Sequence, residues 1–264
     1  GGFATLQFEP TDEFSSTIDV FYTDFSEDQP SRGIEFPLGF NAFGASTTVN
    51  QSVDGFATDF TVNNVRGVLR NDLNRRRAEL FSSGWNGKWD SDDWGVEFDI
   101  SYSKATRRDQ LIESYAGTGF NQTGATTTLN ILQQPGAVPV ISSTLDLSNP
   151  ANFVLTDPLG WGGGGNVVQA GFINAPRTTD ELWHLKAAVD RDVDFSVVSN
   201  VEVGIDWGLR DKRRVIDQSF LTLDGRNLGD PGLVTSVPIP AAALLDEQTS
   251  LGFLGLGPQV TYDP

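Results

Sequence analysis

The feature that most constrains this sequence is a stretch, Trp94 to Lys104, in which apolar and polar side chains alternate. The apolar or aromatic positions are Trp94, Val96, Phe98, Ile100 and Tyr102. The residues between them are Gly95, Glu97, Asp99 and Ser101. Because successive side chains of a β-strand point to opposite faces, this pattern predicts a strand with one apolar and one polar face.

The same alternation returns between Asn200 and Arg210. Its apolar positions are Val201, Val203, Ile205, Trp207 and Leu209. Strands of globular proteins usually have about 5 to 6 residues, whereas a tilted strand that crosses a bilayer needs about 9 to 11. Both stretches are of the longer kind, so they favour strands that cross a membrane.

Composition excludes several classes of function. The formal net charge is −17, so we expect no strongly basic face and no nucleic-acid partner. The chain has no cysteine, which removes disulfides, thiolate catalysis and cysteine-bound zinc. No apolar stretch reaches the roughly 18 residues that a transmembrane helix requires. With no methionine and no recognisable signal peptide, the chain is expected to be an internal piece of a longer reading frame.

About six segments carry the alternation, and short turns join them into hairpins at residues 2–25, 77–104 and 181–210. The predicted turns contain clustered acidic residues, at Pro10 to Glu13, Asp90 to Asp93 and Asp192 to Asp194. None of the 13 prolines is expected inside these strands, because proline cannot donate to a strand ladder.

The connecting segments, residues 26–76, 105–180 and 211–264, show no stable period and are expected to be long loops. A short hairpin within Phe56 to Leu69 is the one exception. Connections this long are unusual in a compact domain unless they are functional loops.

The sequence therefore predicts an all-β fold: a segment of an antiparallel, up-and-down transmembrane β-barrel with long extracellular loops. Outer-membrane barrels combine short turns on one side, long loops on the other and aromatic residues at both membrane interfaces. The expected interface aromatics are Trp89, Trp94 and Phe195 beside the turns, and Tyr22, Tyr102 and Trp207 near the far ends.

Three runs of the sequence resemble the barrel of TonB-dependent outer-membrane receptors, in the subgroup often associated with carbohydrate uptake. These runs are Ala4 to Phe25, Trp89 to Lys104 and Val201 to Arg214. The resemblance implies a 22-stranded barrel with a plugged lumen in the outer membrane of a Gram-negative cell. It implies a transporter and not an enzyme, which binds a scarce carbohydrate or siderophore-like ligand and imports it with energy from the inner membrane.

The resemblance also implies the partners: a small-molecule or oligosaccharide ligand, outer-membrane lipid, and a TonB-type energy-coupling protein that acts through a plug domain. The chain corresponds to about a quarter of such a barrel. The plug domain, the coupling segment and the terminal aromatic strand are accordingly expected outside these residues. As a separate chain, this fragment would have unpaired edges on both sides.

The candidate ligand-binding residues are Trp161, Glu97, Asp99, Glu202 and Asp206. Trp161 precedes a run of glycines, Gly162 to Gly165, and its flat ring suits stacking on a sugar or a chelate. The four acidic residues would form a polar wall of the lumen. His184 is the only histidine and is expected to face the lumen, so neither a metal site nor a catalytic triad is expected. No cofactor is expected.

Two other classes of function remain open. A secreted or surface-attached β-sandwich that binds glycans would bury the same apolar faces against a second sheet, but its strands and loops are usually shorter. A serine or metal-dependent hydrolase lacks a coherent set of catalytic residues. The basic clusters Arg75 to Arg77 and Lys212 to Arg214 either contact anionic lipopolysaccharide or pair with neighbouring acidic residues, and the second interpretation is favoured.

Overall fold

A computed structural model describes residues 1–38, 43–162 and 166–264, which fold mainly into β-strands with no α-helix among them. Every described strand pair whose register is resolved is antiparallel. The strands are β1 (Gly2–Thr11), β2 (Phe14–Glu35), β3 (Ser46–Val53), β4 (Phe56–Val65), β5 (Val68–Asp90), β6 (Trp94–Gly117), β7 (Thr127–Leu132), β8 (Val140–Ser143), β9 (Val154–Thr156), β10 (Gln169–Asn174), β11 (Arg177–Phe195), β12 (Val198–Val215), β13 (Gln218–Thr222), β14 (Ser236–Pro238), β15 (Thr249–Ser250) and β16 (Pro258–Gln259).

The chain divides into two compact units. Unit 1 comprises Gly1–Glu27, Arg75–Asp109 and Ala175–Asp217. Unit 2 comprises Asp28–Asn74, Gln110–Asn174 and Gln218–Pro264. The long strands β2, β5 and β6 contribute residues to both units.

In unit 1, six strands of a larger sheet pair in the order β1-β2-β5-β6-β11-β12. Within this unit, neighbours in the sheet are neighbours along the chain, which is the up-and-down order that the sequence predicts. Tight turns join β1 to β2, β5 to β6, and β11 to β12. The three predicted hairpins are therefore present, although the last turn lies at Ser196–Val197 and not at Asp192 to Asp194. A register shift between Asp192 and Phe195 accounts for the displacement, because β11 continues through those acidic residues.

The sheet of unit 1 is open. Among the described strands, β1 pairs only with β2, and β12 pairs only with β11. The described strands therefore do not form a closed barrel, and they do not form a six-stranded transmembrane barrel. The predicted all-β, antiparallel character is confirmed.

Among the described residues, the side chains on the apolar face of unit 1 are exposed or half-buried. Val96 is 37% exposed, Ile205 61% and Val203 73%. Among the described residues of unit 1, Ala188 is the one hydrophobic residue that is buried. A β-sandwich would require these same side chains to form its core. The sandwich alternative therefore does not fit this unit.

Several strands extend beyond their predicted ends, and they contain prolines. β2 runs on to Glu35 and includes Pro30, while β1 includes Pro10, so the prediction of proline-free strands is wrong at both positions. Pro10 lies at a register shift near the end of an edge strand. Pairing with β1 stops at Tyr22, so β2 is itself an edge at Pro30. Edges are where a residue without an N–H is tolerated.

Unit 2 is built from the segments that the sequence analysis predicts to be irregular, and that prediction is wrong. Strands β3, β4, β7 and β8 form a four-stranded sheet, and β9 pairs with β14 and β10 with β13. The short hairpin expected within Phe56 to Leu69 is instead β3 paired with β4 around Asp54 and Gly55.

Unit 2 has its own buried cores. One contains Leu69, Ala116, Leu147, Phe153, Ile239, Val260 and Tyr262. A second contains Ala45, Val62, Val65, Leu129 and Ile131. A third contains Val68, Tyr115 and Leu159. Each core is assembled from short segments that are distant in sequence, so no single window shows a period. None of the described helical segments has the length and hydropathy needed to span a membrane.

Candidate membrane-facing surface and ligand contacts

The exposed apolar face of unit 1, called the apolar band below, is continuous across strands. The register aligns Val96 with Val189, and Val189 with Val203. The next rows are Phe98, Ala187 and Ile205, then Ile100, Leu185 and Trp207, then Tyr102, Trp183 and Leu209. Alternation along each strand thus becomes one apolar surface because the strands pair in register.

The apolar band has a definite height. Trp94 and Tyr102 are eight residues apart, which at about 3.4 Å per residue is about 27 Å along the strand. The next row consists of the charged residues Lys104, Glu181 and Asp211. The outer surface of an outer-membrane β-barrel typically carries an apolar band about 25 Å tall. The tilt of such strands shortens the band somewhat, and the two heights remain comparable.

Aromatic rings lie toward both ends of the apolar band. At the end far from the turns, Tyr102 lies 6.4 Å from Phe81 and 4.5 Å from Trp183, measured between ring centroids. Beside the turns, the Arg191 guanidinium lies 4.9 Å from the centroid of the Trp94 ring. Aromatic rings with a polar neighbour suit the boundary between lipid and water.

The four predicted acidic residues lie on the opposite, polar face of unit 1. Lys186 pairs in register with Asp99 on β6 and with Asp206 on β12, and Glu202 lies across from Asp190. The Glu97 carboxylate is 3.7 Å from the Lys186 ammonium. The structure therefore brings these four residues onto one face, as the alternation predicts.

His184 also lies on the polar face. Its Nε2 atom is 3.0 Å from Asp206 Oδ1, and its neighbours in register are Ser101 and Gly208. Among the residues that the structure describes, no group of three or more His, Asp or Glu side chains is arranged to hold a metal ion.

Trp161, the remaining predicted residue, belongs to unit 2. Its side chain is 37% exposed, and its ring forms a T-shaped pair with the Tyr115 ring at a centroid distance of 5.0 Å. Residues 163–165, which complete the predicted glycine run, lie outside the described residues. One face of an exposed indole held against a second aromatic ring is a stacking surface for a flat or apolar ligand face.

A buried carboxylate holds the Trp161 turn in place. Asp157 is fully buried, and it accepts hydrogen bonds from the backbone N–H groups of Gly160 (2.8 Å), Trp161 (2.9 Å) and Gly162 (2.6 Å). Gly160 and Gly162 have φ angles of 79° and 42°, in the region that glycine adopts without strain. Asp157 was not among the predicted site residues, although Asp followed at short range by two glycines is a turn signal.

Tyr115 is in turn supported by an arginine. The Arg70 guanidinium lies 4.7 Å from the centroid of the Tyr115 ring, while the Tyr115 hydroxyl donates to Glu113. Arg70 also pairs with Glu35 (2.9 Å), Asp72 (2.7 Å) and Glu113 (3.0 Å). Sequence reasoning missed this network, because its members come from three different strands.

Burial and paired charges together set the pKa values around Arg70, in a part of unit 2 outside the apolar band. Burial raises the pKa of the Asp72 carboxyl, against the opposing effect of its hydrogen bonds. Burial also raises the pKa of the Tyr115 hydroxyl, and the Glu113 carboxylate acts in the same direction. The pKa of Arg70 is raised because the three carboxylates outweigh burial, which acts to lower it.

Unit 2 also contains an open cleft of about 690 Å³ beside the β3–β4 hairpin. Its polar lining includes the side chains of Gln51, Asp59, Gln133 and Gln134. Amide and carboxylate groups in an otherwise apolar cleft suit a hydroxyl-rich ligand, because they supply both donors and acceptors. No period or motif in the sequence singles out these residues.

Comparison with known proteins adds no family assignment. No protein-family model matches the chain, and no curated protein shows significant similarity to it.

Proposed function

We propose that this chain is part of the barrel wall and outer segments of a TonB-dependent receptor in a Gram-negative outer membrane. Such a receptor binds a scarce carbohydrate or siderophore-like ligand and imports it with energy from the inner membrane. The observation that carries the proposal is the single layer formed by the six strands of unit 1, whose apolar face is exposed or half-buried.

The apolar band is difficult to reconcile with a surface in water. Contiguous apolar patches larger than a few hundred Å² are rare on soluble monomers and mark contact with a membrane or a partner. A fully buried Val, Leu, Ile or Phe side chain gains about 1.5 to 3 kcal/mol over an exposed one. A six-stranded apolar face would obtain this gain from lipid hydrocarbon. Its height and its aromatic ends favour a bilayer over a protein partner.

The proposal assigns different roles to the two faces of unit 1 and to unit 2. The polar face, with Glu97, Asp99, Glu202 and Asp206, would line the lumen. Trp161 and the cleft beside the β3–β4 hairpin would contact ligand in the outer segments. Energy coupling would require a plug domain and a TonB-type protein, and no catalytic role is proposed.

Cell fractionation tests the proposal. In the source organism, the protein that contains this chain is expected in the outer-membrane fraction and should be released only by detergent. Recovery from the soluble fraction without detergent would contradict the proposal. If the location is confirmed, cross-linking between this protein and the energy-coupling protein of the inner membrane tests the transport role separately.

A further inference from the structure

We propose that a basic groove on the polar face of unit 1 binds the anionic group of a small ligand, such as the carboxylate of an acidic saccharide. The groove crosses β6, β11 and β12 and has a volume of about 420 Å³. This size lies within the usual range for small-molecule sites. The inference rests on the proposed function and extends it, because it specifies that the ligand carries a negative charge.

The register creates the site. Thr178 on β11 is the direct neighbour of Arg107 on β6 and of Arg214 on β12. Because adjacent strands are about 4.8 Å apart, the two arginine backbones lie roughly 10 Å from each other with the threonine between them. Two guanidinium groups and a hydroxyl can thus converge on one ligand group above β11.

The donors of this trio are available. Among the described residues, Arg214 makes no ion pair or hydrogen bond through its side chain, and the Thr178 hydroxyl has no partner. Arg107 donates through Nε to Asp109, at 3.0 and 2.7 Å, which leaves its two terminal nitrogens without a protein acceptor. A guanidinium presents parallel N–H groups that match the two oxygens of a carboxylate or phosphate.

The two carboxylates in the groove do not oppose an anion strongly, because each is already paired. Asp180 accepts two hydrogen bonds from Arg210, at 2.8 and 2.6 Å, and lies 3.5 Å from Lys212. Asp109 is shared by Arg107 and Arg76. The Asp109 and Asp180 side chains are only 20% and 21% exposed, whereas Arg107 and Lys212 are 50% and 58% exposed. An approaching ligand therefore meets the cations first.

The position of the groove is also informative. The chain carries a net charge of −17, and the polar face nearer the turns presents Glu97, Asp99, Glu202 and Asp206. On β12 the residues beyond these are basic on the same face: Arg210, Lys212 and Arg214. An anion would be repelled by most of the molecule and attracted to this one end of the face.

The test is binding of digalacturonate, inorganic phosphate and a neutral disaccharide to the full chain in detergent micelles, measured by titration calorimetry. Arg214→Ala is compared with Arg213→Ala, which removes the same charge from the opposite face of the same strand. We expect saturable binding of at least one anion, no comparable binding of the neutral sugar, and a loss of about tenfold to a hundredfold in affinity for Arg214→Ala alone. Arg214→Lys, which keeps the charge but loses the planar fork, should weaken binding severalfold.

Equal losses for Arg213→Ala and Arg214→Ala, equal binding of the neutral disaccharide, or no saturable anion binding would each overturn the inference. Binding of phosphate without digalacturonate would support the anion site and assign it to phosphate-bearing ligands. Partition of the same preparation into lipid vesicles is measured in parallel. A chain that partitions but binds no anion contradicts this inference alone, whereas a chain that fails to partition contradicts the proposed function.

Discussion

Single residues in unit 2 determine the position of its exposed aromatic surface. Asp157 satisfies three consecutive backbone donors, and the turn that results places Trp161 against Tyr115. The identity of Trp161 as an exposed aromatic could be predicted from its glycine-rich surroundings. The role of Asp157 could not, because it depends on which way a buried carboxylate points, and this is decided by packing.

Replacing Asp157 with alanine should destabilise unit 2 and release the Trp161 turn. The substitution leaves buried N–H donors without an acceptor, and we expect a loss of about 2 to 4 kcal/mol in the free energy of unfolding. Urea unfolding monitored by tryptophan fluorescence measures it. The matched control is Asp246→Asn, at an exposed position, which should change stability by less than about 0.5 kcal/mol. Equal stability of Asp157→Ala and the wild-type chain would contradict the assigned role.

Tyr262 gives the stability of unit 2 a dependence on alkaline pH. Burial raises the pKa of this phenol to about 12, and its hydroxyl lies 3.0 Å from Ser114 Oγ. The unfolded chain loses this proton near pH 10, so the stabilising contribution is complete below pH 10 and is lost as the pH rises toward 12.

The variant Tyr262→Phe should be less stable than the wild-type chain at pH 8, by about 1 kcal/mol, because it lacks the buried hydrogen bond. Between pH 10 and 12, the free energy of unfolding of the wild-type chain should fall by about 2 to 3 kcal/mol more than that of the variant. Denaturant unfolding at a series of pH values measures both effects. If the free energy of unfolding depended on pH in the same way for both proteins, the pKa of this phenol would not be raised and the prediction would be contradicted.

At the level of strands, the two units differ in how far their structure can be predicted. The strands of unit 1 are long, and their alternate side chains face different surroundings. Apolar and polar residues therefore alternate along each of these strands in the sequence. The strands of unit 2 are short, and Val62, Leu129 and Tyr262 are buried by neighbours distant in the chain. Their burial leaves no local pattern, and for this reason the sequence predicts loops in these segments.

One strong local signal in unit 2 was available. Asp54 and Gly55 occupy the two-residue turn between β3 and β4 with φ angles of 49° and 81°. Asp-Gly between two runs of strand-forming residues is characteristic of such hairpin turns. The predicted hairpin within Phe56 to Leu69 begins one residue after this turn and so omits it.

The conformation of this turn can be tested without a steric complication. A Cβ at Gly55 would meet no atom within 4 Å, so substitution by alanine tests the positive φ alone. We expect Gly55→Ala to lower the free energy of unfolding by about 1 kcal/mol. Gly225→Ala is the control, because it also has open space but no positive φ. A control variant that is destabilised as much as Gly55→Ala would contradict the argument from the turn.

The assignment of the two faces of β12 can be tested by introducing an arginine at either of two adjacent positions, in two separate variants. Ile205→Arg places a charge on the apolar band, and Asp206→Arg places it on the polar face. Arginine facing lipid near the middle of a bilayer costs about 2 to 4 kcal/mol, whereas a lumen-facing arginine does not. Insertion of the chain into lipid vesicles, assayed by flotation, should fall sharply for Ile205→Arg only. Equal effects of the two substitutions would contradict the assignment of the faces.

For the whole molecule, the contrast between the units is thermodynamic. Unit 2 buries apolar side chains in three clusters and so resembles an ordinary globular fold. Unit 1 exposes its apolar side chains on a single layer, and no further described strand pairs with its two edges, so by itself it lacks the hydrophobic burial that offsets chain entropy. Hydrocarbon against the apolar band would supply that burial, and further strands would pair the edges.

Contact between the apolar band and hydrocarbon can be measured by spin-label accessibility in lipid vesicles. The chain has no cysteine, so labels can be attached at single introduced cysteines. Labels at Val201, Val203 and Ile205 are expected to be relaxed mainly by lipid-dissolved oxygen, and labels at Glu202 and Asp206 mainly by a water-soluble nickel chelate. Equal accessibility to the nickel chelate at all five positions, with no period of two, would contradict the membrane-facing assignment of the sheet.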